Sequence, residues 1–183
     1  MSKFVQIEDF TGQYNIPKDK FTKLEFQEYI DKYEVLYLQN LLGCEMYEDF
    51  NTDFVIPTGP TQPKYISIWE SFCKDNKIIS YDYWDGFCYS CPRQVISQGM
   101  KEMLLGFLYW EYIGDSKVKA DIGGIYKNQQ ANGEEASFGG SKVYKNYNES
   151  ISTYCSIQWC ICRNPDSYDY DLYNGIKKEV SIL

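Results

Sequence analysis

Histidine is missing altogether from this 183-residue chain. That one absence removes the imidazole general base, the serine–histidine triads and every histidine metal ligand. The phosphate-cradling Gly-x-x-x-x-Gly-Lys loop and the Gly-x-Ser-x-Gly nucleophile elbow are missing too. Long apolar runs are scarce. The longest, Met103 to Trp110, falls far short of the roughly 20 residues that cross a bilayer. The residues from Met1 onward lack a basic and apolar leader pattern, so the expectation is a soluble, unexported protein with no membrane partner. Positive charge is also in deficit, with a formal net charge of −8 and no visible basic patch. Broad electrostatic binding to duplex nucleic acid needs clustered Lys and Arg and is therefore excluded. An acidic surface past which DNA slides without sticking is still compatible with that charge.

Aromatic residues, by contrast, are abundant, with 18 Tyr, 10 Phe and 4 Trp. Tyrosine buries a large apolar body and keeps a polar tip, so this surplus suits a protein with extensive packed interfaces. The same surplus would follow from a genome that favours Tyr codons. The chain is long enough to bury one core without disulfide or metal staples. Its seven cysteines, an odd number, point to free thiols in a reducing cytoplasm.

Periodicity predicts a mainly α protein: a helical bundle of about four to five helices with long loops and an extended C-terminal arm. Residues 2–17 read as an irregular arm. Thr22 and Glu25 have capping-box spacing ahead of a helix carrying Phe26, Ile30, Tyr33, Tyr37 and Leu41, with Gln27, Glu28, Asp31 and Glu34 opposite and Gly43 as its stop. A second helix is expected over 45–54, followed by a stiff loop through Pro57, Gly59, Pro60 and Pro63. Ile66, Trp69, Phe72 and Cys73 suggest a third, and 78–89 a small hairpin or aromatic loop. Pro92 suits the first turn of the central buried helix, which runs to Tyr112 and includes Val95, Ile96, Met100, Leu104 and Leu108. A last helix from Lys142 places Tyr144, Tyr147, Ile151, Tyr154, Cys155, Trp159 and Cys162 on one face and ends at Asn164-Pro165. Residues 1–165 thus form the helical domain, with a long loop at 115–141, and 166–183 the arm.

Metal is the sharpest chemical alternative. Cys88 and Cys91 have zinc-knuckle spacing, and Cys160 and Cys162 are a second candidate pair. A single residue between the second pair turns its thiols to different helix faces, so buried thiols acting as small hydrophobes are the default. No metal or other cofactor is expected. Gly139-Gly140-Ser141-Lys142 has no preceding strand of the kind nucleotide sites use, and reads as a flexible helix entry. Asp82, Asp85, Asp166, Asp169 and Asp171 read as solvated surface rather than a calcium loop. No catalytic residue is assigned, and the expectation is not an enzyme.

One sequence of parts carries a resemblance. Phe26 to Gly43, Met46 to Phe50, Lys101 to Tyr112 and Asp121 to Ser137 together resemble the small head-to-tail connector, or adaptor, proteins of tailed bacteriophages, of the crAss-like phage type. The resemblance covers roughly 21–162. It implies a structural virion protein that forms a ring, commonly twelve-fold in relatives, at the head-to-tail junction and in the host cytoplasm during assembly. The ring would dock below the portal protein, contact other tail or connector rings and extend the channel through which genomic DNA passes without sequence-specific binding. The alternative is a small Cys-dependent metal-binding or regulatory module of phage or host. Two interface elements follow from length, glycine content and apolar character. One is the loop with Lys117, Ile122, Gly123, Gly124, Ile125, Tyr126 and Asn128; the other is the arm tip with Ile176, Val180, Ile182 and Leu183.

Overall fold

In the computed structural model of the chain, the described residues are 3–16, 20–75, 94–116, 118–121, 124–127, 142–168 and 173–175. They form a mainly α fold with three separate two-stranded antiparallel ladders. Helix α1 (Lys20–Leu42) buries Phe26, Ile30, Glu34, Tyr37, Leu38 and Leu41 along one side, the spacing of a helix face turned to a core. It starts at Lys20, so Thr22 lies inside its first turn instead of capping it. Gly43 stops it: its φ of 81° is open to glycine at no steric cost, and its N–H closes onto the Gln39 carbonyl at 2.8 Å. Helix α2 (Cys44–Asp53) leaves directly from that corner.

Strands β1 (Phe54–Val55) and β2 (Gly59–Pro60) form a short ladder, and α3 (Pro63–Trp69) follows with proline at its first turn. The Asp53 carboxylate accepts from the Thr61 and Gln62 N–H groups, each at 2.9 Å. Phe72 and Cys73 are not on this helix as the sequence suggested. They belong to β3 (Phe72–Asp75), paired with β4 (Gln94–Ser97) in the register Cys73↔Ile96. The central helix likewise starts later than Pro92 implied. The β-branched Val95 and Ile96 join the ladder, Gly99 turns the chain at φ 94°, and α4 (Met100–Ser116) begins there. The 78–89 segment falls outside the described residues. As expected, α4 is the buried centre, with Met100, Met103, Leu104, Leu105, Phe107 and Leu108 inside.

The stretch read as a long loop carries secondary structure. After α4 come β5 (Val118–Asp121) and β6 (Gly124–Lys127), a hairpin with Val118 opposite Lys127 and Asp121 opposite Gly124. Valine, isoleucine and tyrosine flanking a Gly-Gly pair are sufficient signal for it. Helix α5 (Lys142–Arg163) runs antiparallel to α4: Trp110 stacks on Tyr147 at 4.4 Å, while Phe107 meets Tyr154 edge-on further along.

Both chain ends belong to this core. The N-terminal residues make two 3₁₀ turns, Ile7–Asp9 and Gly12–Tyr14, and bury Phe4, Val5, Phe10, Tyr14 and Ile16. Glu34, 2% exposed, accepts from the N–H groups of Phe4 at 2.6 Å, Val5 at 3.0 Å and Lys3 at 3.3 Å. At the other end, Asn164 caps α5 by donating to the Cys160 carbonyl at 2.6 Å, and a short helix α6 (Pro165–Tyr168) folds back. Tyr168 is buried, 2.7 Å from Ser67 Oγ and donating to the Lys64 carbonyl at 3.0 Å. Residues 173–175 then lie against the α1–α2 corner so closely that a Cβ on Gly175 would overlap the Leu41 carbonyl and one on Gly43 the Asn174 side chain. An arm reaching away from residue 166 onward is thus corrected: the chain packs on its own helices through Tyr168 and again at 173–175. Tyr168→Phe should cost about 1 kcal/mol in urea unfolding; no measurable loss would remove this anchor.

Candidate interface

The other side of α1 is unusual for a helix on a soluble core. Positions 25, 29, 32, 33 and 36 share one stripe by helical spacing, and that stripe holds Glu25, Tyr29, Lys32, Tyr33 and Leu36. Leu36 is 45% exposed, Tyr29 and Tyr33 are half-buried, and on another flank Leu24 is 62% exposed. The rings are arranged in order. Tyr29 stacks on Tyr33 at 6.0 Å, Tyr33 leans on Tyr37 at 6.3 Å, and Tyr37 stacks on Phe107 of α4 at 4.4 Å.

Carboxylates of α4 fix the hydroxyls of this row. Tyr29 donates to Asp115 at 3.0 Å, and Tyr37 makes a short bond to Glu111. Burial first, and then the Asp115 carboxylate, pushes the Tyr29 hydroxyl up to about 12. Burial and Glu111 push Tyr37 further in the same direction. Both hydroxyls therefore stay protonated donors at any physiological pH. Together they make a rigid, partly apolar surface with an acidic rim, aromatic enough to anchor a protein partner. A second apolar feature is the turn after β1, where Val55 is 48% and Ile56 58% exposed.

The residues singled out in the sequence are distributed unevenly. Gly124, Ile125 and Tyr126 lie on β6. Lys117, Ile122, Gly123, Asn128, Ile176, Val180, Ile182 and Leu183 fall outside the described residues, as do Cys88, Cys91 and Gly139 to Ser141. Cys160 is buried and Cys162 half-buried on different sides of α5, which separates their thiols. Among the described residues, no group of three or more Cys, Asp or Glu is placed to hold a metal ion, and no helix is long and apolar enough to cross a membrane.

Tyr29 and Leu36 escaped the sequence reading because α1 has a stronger apolar stripe facing the core. The signal for them was a second set of apolar positions at the same helical period on a helix that already had one. No protein-family model, curated protein or solved structure matches the chain.

Proposed function

We propose that this protein is a structural subunit that assembles into a ring at the head-to-tail junction of a tailed bacteriophage, docking below the portal and lengthening the DNA channel. The observation that carries this reading is the pair of uncovered apolar features on different elements: the Tyr29–Tyr33–Leu36 stripe of α1 and the Val55–Ile56 turn. Exposed apolar groups clustered on a soluble chain mark sites that another surface covers. Distinct patches on one chain produce head-to-tail contacts, which close into rings when the rotation permits. The connector resemblance supplies the setting, and the net charge of −8 suits a channel through which DNA moves without being held.

Light scattering and electron-microscopy class averages of the purified chain, alone and with the portal encoded beside it, test the reading. A closed ring on the portal axis is expected. A monomer at every concentration in both samples would overturn it.

A further inference from the structure

On the reading that the chain assembles with copies of itself, the structure points to what covers the α1 stripe. We propose that the β5–β6 hairpin of one copy seats on the Tyr29–Tyr33–Leu36 face of the next.

The first argument is position. Helix α4 runs antiparallel to α1, since Tyr37 meets Glu111 and Phe107 while Tyr29 meets Asp115. The chain therefore leaves α4 heading towards the N-terminal end of α1, away from Leu36. Strand β5 begins three residues after Asp115, about 10 Å of extended chain. The hairpin of a given copy is thus rooted beside its own stripe but aimed off it, and Leu36 is left 45% exposed. A surface and a projecting element side by side, pointing the same way round, are the two halves of a head-to-tail contact.

The second argument is charge. The chain is acidic overall, yet residues 117–127 carry Lys117, Lys119 and Lys127 against one acid, Asp121. The seat is the opposite: exposed Glu25, Glu28 and Asp31 on α1 and exposed Asp115 on α4, against Lys32. A basic segment facing an acidic rim directs association and fixes register.

The third is the hairpin itself. It is a two-stranded ladder with no third strand among the described residues, and such a ladder is marginal in water until a face packs on something. The stripe offers tyrosine rings and a leucine for its Val118, Ala120, Ile125 and Tyr126.

The test places the photo-crosslinker p-benzoylphenylalanine at Leu36 in a mixture of light and heavy isotope-labelled full-length chains. Irradiation should join α1 peptides to residues 117–128 in mixed light–heavy pairs. A pairwise experiment gives an independent readout. Leu36→Arg spoils only the seat, and Lys119→Glu with Lys127→Glu spoils only the hairpin. Each variant alone should assemble at least about tenfold more weakly, with unchanged far-ultraviolet circular dichroism, and the two mixed should form heterodimers and stop there.

Rings that form with crosslinks only within one chain, or only to other regions, overturn this contact and leave ring assembly standing. Variants that assemble like the wild-type chain do the same. A wild-type chain that never assembles, alone or with the portal, overturns both.

Discussion

Glu34→Ala is expected to lower the stability of the chain by about 3 kcal/mol, the range in which a buried polar network is broken. The carboxylate is the acceptor for the Phe4 and Val5 N–H groups, both buried, and for the partly buried Lys3 N–H. Alanine leaves these donors without an acceptor, at about 1–3 kcal/mol for each one fully enclosed. Relief of the burial of a charged group offsets part of that. The damage should be local first: amide exchange of residues 3–16 should accelerate more than that of α4. Uniform exchange and an unchanged unfolding midpoint would show that the N-terminal segment is held by its aromatic contacts alone.

The same residue gives a pH signature. Burial raises the Glu34 pKa above the ordinary glutamate value; the three backbone N–H donors pull it down and only partly compensate, and neighbouring Asp31 adds to the rise. The native state therefore holds this proton more firmly than the unfolded chain does. The corresponding stabilisation is complete below the unfolded glutamate pKa and is lost as pH rises through the higher folded value. Glu34→Gln cannot titrate. Measured against it, the wild-type chain should gain unfolding free energy as pH falls through that window. A difference independent of pH would contradict the assignment.

The second large effect is expected at Gly106→Val, with a loss of about 3 kcal/mol or failure to fold. Gly106 is where α4 and α5 approach most closely. A Cβ there would overlap Ser150 Oγ and stand 3.2 Å from both Ser150 Cβ and the Asn146 carbonyl. Alanine is accommodated only if Ser150 turns; two extra methyl groups must push the α5 backbone away, and overpacking a close interface costs about 1–3 kcal/mol or more. Ser150→Gly should recover part of the loss in Gly106→Ala, because it vacates the colliding position. Equal unfolding midpoints for Gly106→Val and the wild-type chain would mean that the helices are further apart than described.

Long periodic stretches were legible in the sequence because one dominant force shapes them. The stripe of Phe26, Ile30, Tyr37 and Leu41, the Gly43 stop, and the apolar breadth of α4 are each set by burial or by a backbone angle that one residue type supplies. Glu34 was misread as part of the solvent-facing side, since nothing in its local spacing shows that residues 3–5 bring three N–H groups to it. Phe4, Phe10, Tyr14 and Ile16 carry no period because each fills a separate gap, Phe10 edge-on to Phe26 at 4.5 Å and Tyr14 against Tyr109 at 5.9 Å. On α5 the expected stripe of large apolar residues missed Asn146, Ser150 and Thr153, which are buried. Small polar residues go inside there because a glycine opposite lets the helices close, and that is a pairwise fact no single segment reveals. At the candidate interface, the hairpin signal was outweighed by glycine content and length.

The tying-in of both chain ends bears on how this protein comes into being on the ribosome. Gln13 accepts through its carbonyl from Asn146, 133 positions later, and Gly175 lies against Leu41. The N-terminal turns thus have no complete binding surface until α5 has emerged, and the α1–α2 corner waits for some of the last residues to be made. Contacts this distant along the chain are closed at an entropic cost before they return any stability, which slows folding. During synthesis the apolar sides of α1 and α2 stand uncovered for most of the translation time, a period in which neighbouring nascent chains or chaperones can reach them.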